Sequence, residues 1–246
     1  MPPTRLLPRP CPRPSHFLRS STQQSKRTFL NSFLSSSALP PQTLTASRRL
    51  PYNHAALYSL IADINSYSAF LPYCSASRVT AWTAHADPEF GRRWPTRADL
   101  TAGWGGIEQT YTSRVFCVPG SIVEALSGEG ARSGIAPDIL ARHGLQDVPP
   151  PVPASTGLGV GSRDGDGRED EGVFKTLVTR WTVTPVQAQP GTAGERGEGA
   201  EWSDVNLNIR FQFANPLYGA VSSAVADKIA PVMIEAFVER ARKVLG

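Results

Sequence analysis

The sequence has few of the side chains from which disulfides and metal sites are built. It contains three cysteines, Cys11, Cys74 and Cys117, and no two of them form a Cys-x-x-Cys pair. Its four histidines are scattered, and none occurs in a metal-binding spacing such as His-x-His or His-Glu-x-x-His. These absences argue against a disulfide scaffold, a zinc site and metal-dependent catalysis, and they are consistent with a reducing compartment.

Long apolar runs and paired carboxylates are also lacking. No run approaches the roughly 18 apolar residues that a membrane-spanning helix needs. Asp63, Asp99, Glu108 and Glu124 fall on separate predicted elements, and Asp99 and Glu124 alternate with apolar neighbours as solvent-facing strand residues do.

A nucleophilic Cys74 would need a base, and its neighbours in sequence are only Arg78 and, further off, Asp63. Elsewhere in the body outside the insertion, His54 and His85 are the candidates. Packing is therefore the favoured role of Cys74.

Acidic residues are absent from the amino-terminal segment. Residues 1–49 hold eight of the 25 basic residues, whereas the first carboxylate is Asp63, so the remaining 17 basic residues face all 21 acidic ones. The body of the chain therefore does not predict a nucleic-acid partner. Because the segment is rich in Arg, Ser and Pro, we predict that residues 1–45 are a disordered mitochondrial transit peptide. A basic disordered tail without a targeting role is the alternative.

The remainder, residues 46–246, predicts an α+β domain. Asn53 can cap a helix over residues 54–64, and a second helical turn ends before Pro72. A long amphipathic helix over residues 217–246 contains Pro231, where we expect a kink. Extended segments are predicted at 46–50, 75–82, 96–104, 108–118, 121–126, 172–186 and 204–213. The last of these alternates without error between apolar and polar residues, as a half-buried antiparallel strand does.

Two segments rich in Gly, Pro and charge interrupt the strands, at about 128–171 and 187–200. We predict both as flexible insertions, with at most a helical turn near residues 137–145. The order of the elements predicts a strongly curved sheet covered by the C-terminal helix, with a cavity between them.

Four stretches, taken together and in this order, resemble the mitochondrial coenzyme Q-binding protein family, a branch of the START-like, or polyketide cyclase/dehydrase, superfamily. They are FLPYCSASRV (70–79), AGWGGIEQTYTSRV (102–115), TRWTVTP (179–185) and VNLNIRFQFANPLYGAVSSAVAD (205–227). The resemblance covers residues 46–127, 172–186 and 201–245 and leaves out the leader and both insertions.

The resemblance implies a helix-grip fold, in which a curved antiparallel sheet wraps around a long C-terminal helix. It implies a hydrophobic tunnel that holds ubiquinone (coenzyme Q) or a late precursor without catalysis and without a catalytic cofactor. It also implies a role that supports respiratory electron transport and ubiquinone biosynthesis. The expected location is the matrix side of the mitochondrial inner membrane, with peripheral membrane contact and with partners among the quinone-biosynthesis or respiratory-chain proteins.

Within such a fold we expect particular residues to contact the ligand. The mouth of the tunnel is expected at Leu71, Pro72 and Tyr73. The interior is expected to be lined by Trp104, Phe116 and Val225. Because the quinone head carries carbonyl acceptors, hydrogen-bond donors are expected at Tyr73, Tyr111 and Thr112.

Two other functions stay open at this point. A cyclase/dehydrase-type enzyme acting on an aromatic or quinone precursor would need a polar cavity equipped for acid–base chemistry. A protein-interaction module, as in the ribosome-associated bacterial members of the superfamily, would need a strong protein partner and no bound lipid.

Overall fold

The computed structural model describes residues 40–104, 107–128, 130–147, 174–186, 201–214 and 216–246, with the backbone alone for Trp104, Ile107 and 216–227. Most of the predicted leader and of both predicted insertions therefore lies outside the described residues. The first strand begins at Gln42. Residues 42–45, at the end of the predicted leader, thus belong to the folded domain.

One antiparallel sheet dominates the described part of the chain. Its strands are β1 (Gln42–Leu50), β2 (Cys74–Trp82), β3 (Pro95–Trp104), β4 (Ile107–Val118), β5 (Ile122–Gly128), β6 (Phe174–Val186) and β7 (Trp202–Phe213). They are arranged in the order β1-β7-β6-β5-β4-β3-β2. Every neighbouring pair except β1 and β7 is also consecutive along the chain, and the sheet is curved, which confirms the predicted α+β helix-grip fold.

Helices flank the sheet. They are α1 (His54–Ala62), a 3₁₀ helix (Ile64–Ala69), α2 (Pro137–Arg142) and α3 (Pro216–Leu245). The Asn53 side chain accepts hydrogen bonds from the backbone N–H groups of Ala55 at 2.7 Å and Ala56 at 3.3 Å, which confirms the predicted cap. Helix α3 continues through Pro231. None of the helices described is long and apolar enough to cross a membrane.

The main core lies between one face of the sheet, here called the inner face, and helices α1 and α3. Successive strand side chains point to opposite faces, so alternate residues of β7 are buried, as predicted from the sequence. Helix α3 contributes Ile234 and Phe237, and the Phe237 ring lies 5.3 Å from that of Trp181 on β6. An ion pair between Arg48 and Glu235 joins α3 to β1.

The opposite, outer face of the sheet carries a second apolar cluster, which the sequence did not predict. Its strand residues are Phe116, Val118, Leu126 and Val178. They are covered by residues of the first predicted insertion, Ala131, Ile135 and Leu140, the last of which lies on α2. The prediction of a flexible loop is therefore wrong for residues 130–147, because their apolar side chains are buried against strands β4–β6.

Glu124, on the outer face of β5, is fully buried beneath this covering segment. Its carboxylate accepts hydrogen bonds from Arg180 Nε at 2.9 Å and from the backbone N–H of Gly134 at 3.2 Å. It also accepts one from the Ser133 hydroxyl at 2.5 Å. The expectation that Glu124 faces solvent is wrong. The alternation of apolar and polar residues correctly placed Glu124 on the face of the sheet opposite the main core, but residues 130–147 cover that face.

Candidate functional site: an apolar cavity under helix α3

A cavity of about 180 Å³ lies between the inner face of the sheet and helix α3. Strands β1–β7, the 3₁₀ helix and the turn after it all contribute to its wall, which is mostly apolar. Ile229 and Met233, one helical turn apart on α3, cover it from the other side. The arrangement matches the cavity that the element order predicted.

The turn Leu71-Pro72-Tyr73 forms one border of this cavity. The backbone N–H of Leu71 donates to the Tyr67 carbonyl at 2.8 Å, which ends the 3₁₀ helix just before the proline. Tyr73 has a φ of 66°, in the left-handed region that residues other than glycine rarely adopt. Its carbonyl accepts a hydrogen bond from the backbone N–H of Gly103 at 2.9 Å. Tyr73 lines the cavity and is also 44% exposed, so the wall reaches the protein surface at this turn, and its role as the mouth stays a prediction.

Four aromatic rings form the wall at one end of the sheet. The Phe174 ring centre lies 5.6 Å from that of Tyr111, 5.5 Å from Phe211 and 5.1 Å from Phe213. These separations are those of favourable aromatic pairs. The plane of the Phe174 ring is inclined by 49° to that of Tyr111, by 75° to that of Phe211 and by 24° to that of Phe213, so the four rings form a packed aromatic cluster beside the cavity.

Polar atoms in the wall are few, and most have partners. The Tyr67 hydroxyl donates to the Ile61 carbonyl at 2.5 Å, and the Tyr111 hydroxyl donates to Gln109 Oε1 at 2.7 Å. Burial raises the pKa of Tyr111 to about 12 and raises the pKa of Tyr67 further, so both phenols are neutral at physiological pH. The hydroxyls of Ser113 and Ser127 lie 2.6 Å apart across β4 and β5.

Cys74 lines the cavity as a half-buried side chain. Burial raises the pKa of its thiol, although a backbone hydrogen bond at Ala76 opposes this shift. Burial raises the pKa of Cys117, deeper in the core, to about 12. Neither environment favours a thiolate, so the geometry agrees with packing roles for both residues.

We expect the half-buried Cys74 and the fully buried Cys117 to differ in their rates of thiol labelling. In a Cys11→Ser background, Cys74 should react more slowly at pH 8 than free cysteine, because less of it is thiolate, and its rate should still rise at higher pH. Cys117 should stay unlabelled until the protein unfolds. Stopped-flow absorbance with a disulfide reagent measures both rates, and a Cys74→Ser variant assigns them. A Cys74 that reacts faster than free cysteine would indicate an activated thiol.

The structure brings some of the predicted site residues together and separates others. Leu71, Pro72, Tyr73 and Tyr111 all line the cavity. Phe116 does not, since it packs in the outer cluster, and Thr112 also faces outward, where its hydroxyl donates to Asp99 at 2.8 Å. The expectations for these two residues do not fit the structure. Only the backbone is described at Trp104 and Val225, so lining by their side chains stays a prediction.

The volume limits what the enclosed space can hold. A cavity of about 150 Å³ in a protein core accommodates benzene, and this one measures about 180 Å³. It therefore has room for one six-membered ring or a short branched hydrocarbon segment. A longer ligand would have to extend out of the cavity or displace side chains of α3.

The described residues contain no cluster of three or more His, Cys, Asp or Glu side chains that could hold a metal ion.

Comparison with known proteins assigns the chain to a family. The family described as "Polyketide cyclase / dehydrase and lipid transport" matches residues 50–129 and 159–238. The chain belongs to this family. Its fold agrees: a START superfamily protein from Mycobacterium smegmatis superposes with a TM-score of 0.50 at 11% identity, over 82% of this chain and 98% of that protein.

Within the family, the chain is similar to two differently named kinds of protein. It is 28% identical to "Coenzyme Q-binding protein coq10, mitochondrial" of Schizosaccharomyces pombe, over 80% of this chain and 85% of that protein. It is 24% identical to "Ribosome association toxin RatA" of Pseudomonas aeruginosa, over 81% of this chain and 95% of that protein. The resemblance found in the sequence is confirmed.

Proposed function

We propose that this protein binds coenzyme Q, or a late precursor of it, in the cavity beneath α3 and does so without catalysis. The observation that carries the proposal is an apolar, ring-sized cavity whose wall includes Leu71, Pro72 and the exposed Tyr73. Similarity to proteins named for coenzyme Q binding supports the choice of ligand.

The chemistry of the wall suits an isoprenoid quinone. Burial of apolar surface contributes roughly 25 cal/mol per Å², so a branched hydrocarbon tail gains affinity from contacts such as Leu100, Ile229 and Met233 rather than from charge. The aromatic cluster formed by Phe174 and its neighbours offers ring faces and edges against which a planar ring can pack. Both parts of the proposed ligand thus find a matching surface.

The same wall is poorly equipped for catalysis by a cyclase or dehydrase. Such a reaction needs a group that exchanges a proton near neutral pH. Among the described side chains, the titratable groups lining the cavity are Cys74 and the phenols of Tyr67, Tyr73 and Tyr111. Burial raises the pKa of Cys74, Tyr67 and Tyr111. This supports binding, not turnover, as the function.

We further propose a mitochondrial location at the matrix side of the inner membrane, where bound quinone would support respiration and ubiquinone biosynthesis. The Arg-, Ser- and Pro-rich composition of the first 45 residues and the mitochondrial names of the relatives support this location. Partners among the respiratory-chain or quinone-biosynthesis proteins belong to the same proposal.

Organic extraction of the purified protein, followed by mass spectrometry, tests the ligand. The protein should be made in a cell that synthesises ubiquinone, and quinone should co-purify in a near-stoichiometric amount. We expect Leu71→Glu and Met233→Glu to lower that amount more than tenfold, since each places a carboxylate against the apolar cavity. Val232→Glu is the matched control, because Val232 is the exposed neighbour of Met233 on α3.

The outcomes separate the three candidate functions. Quinone that is retained by Met233→Glu would place the ligand elsewhere. Conversion of an added aromatic precursor would favour the cyclase/dehydrase-type enzyme. A protein that carries no lipid but co-sediments with ribosomes would favour the interaction module that similarity to RatA suggests.

Removal of the leader tests the location. We expect deletion of residues 2–37 to abolish mitochondrial import of a tagged chain and to leave the domain folded, because β1 begins at Gln42. A deletion that extends to residue 45 would remove part of β1, including the buried Leu44, and would confuse the two effects. Fluorescence microscopy and thermal unfolding provide the readouts, and unchanged import would disprove the leader's role.

A further inference from the structure

Two serine hydroxyls form a polar spot in the apolar cavity. Ser113 of β4 and Ser127 of β5 face each other across the two strands, since the register pairs Arg114 with Leu126. Both line the cavity, and both are buried, at 5% and 6% exposure. Their oxygens are 2.6 Å apart, so one hydroxyl donates its proton to the other.

A proton count shows what this pair can still offer. Two hydroxyls carry two protons, and the bond between them uses one. Within the described residues neither hydroxyl has a second partner, so one O–H donor remains available on the cavity wall. Buried donors normally have acceptors, and an acceptor from a ligand would complete this one.

The surroundings fit an oxygen-bearing ring. Tyr111 lies two residues before Ser113 on the same face of β4, with its ring against that of Phe174. The Tyr111 hydroxyl has already donated its proton to Gln109, so it can accept a hydrogen bond from a ligand but cannot donate one. The remaining donor of the serine pair therefore lies on the same face of the sheet as the aromatic cluster that contains Tyr111 and Phe174.

We propose that the Ser113–Ser127 hydroxyl pair is the polar anchor that donates a hydrogen bond to a ring oxygen of the ligand. The ring then lies against the serine pair, and the isoprenoid tail leaves past Leu71, Pro72 and Tyr73. This inference rests on the proposed function and adds the orientation of the ligand, head group first. It also replaces Thr112 as a donor, since that side chain faces the other side of the sheet.

A pair of ligands tests the anchor on the unmodified protein. One is a short-chain benzoquinone, and the other is an arene with the same tail and with methyl groups in place of the carbonyl oxygens. One neutral hydrogen bond changes an equilibrium constant by roughly two- to twelvefold. We expect the quinone to bind more tightly by a factor in this range, as measured by quenching of tryptophan fluorescence or by calorimetry.

The double variant Ser113→Ala/Ser127→Ala should lose this preference while binding the arene about as well as before. Ser203→Ala is the matched control, because Ser203 is an equally buried serine whose hydroxyl donates to the Tyr52 carbonyl outside the cavity. The control should keep the preference. Thermal unfolding of each variant verifies that the comparison is made on folded protein.

Each outcome has one meaning. If the unmodified protein binds both ligands equally, the anchor is wrong and lipid binding stands. If the double variant keeps the preference, the donor lies elsewhere and the anchor is again wrong. If the unmodified protein binds neither ligand, the proposed function fails and the anchor fails with it. The comparison of ligands on the unmodified protein holds even if the double variant does not fold.

Discussion

Replacement of Glu124 by alanine is expected to destabilise the domain by about 3–5 kcal/mol, the cost of breaking a buried ion pair. The Glu124 side chain is 0% exposed and Arg180 is 27% exposed, and their closest atoms are 2.5 Å apart. The substitution leaves the Arg180 guanidinium, the Ser133 hydroxyl and the Gly134 N–H without their shared acceptor. Chemical denaturation followed by tryptophan fluorescence measures the loss.

Two further variants show whether the loss arises from the unpaired charge. Glu124→Leu/Arg180→Met removes both charges and should recover most of the stability, because uncharged partners leave no buried ion unpaired. Asp204→Ala breaks the exposed pair with Arg49 and should cost no more than about 1 kcal/mol. If Glu124→Ala costs as little as Asp204→Ala, residues 130–147 do not enclose the pair in solution.

Truncation of Phe237 is the second large effect. We expect Phe237→Ala to lower the free energy of unfolding by about 3–5 kcal/mol, since it removes a fully buried ring that packs against Trp181. Phe237→Leu keeps most of the volume and should cost less than about 1.5 kcal/mol. Val244→Ala, at an exposed position of the same helix, should have little effect. If chemical denaturation gives the same unfolding midpoint for all three variants, α3 does not pack on the sheet through Phe237.

Local sequence patterns predicted much of the fold. The alternation in β7 and the cap at Asn53 are set by neighbouring residues, and both appear in the structure as expected. The start of β1 at Gln42 was missed because residues 42–45 resemble the polar leader in composition. Their strand conformation depends on pairing with β7, which lies far away along the chain.

The errors at the site have two different causes. Tyr111 and Phe116 are an odd number of residues apart in a strand without a bulge, so they face opposite sides of the sheet. The same alternation places Ser113 with Tyr111, so the sequence contained the signal for both corrections. By contrast, the burial of Glu124 depends on a distant Gly- and Pro-rich segment in which Ile135 and Leu140 follow no regular period.

The pairing of β1 with β7 has a consequence for the order of folding. Strand β1 is the first strand along the chain and β7 is the last. Their pairing places Arg49 beside Asp204, which is 155 positions away in the sequence. Contacts between residues so distant in sequence form slowly. In a chain that enters a compartment amino end first, β1 can pair only after β7 has also entered. Until then β1 lacks the strand with which it pairs, and Leu44 cannot contribute to the wall of the cavity. The proposed ligand binding therefore requires both strands, and a chain that lacks β7 would expose the apolar lining of the cavity as an aggregation-prone surface.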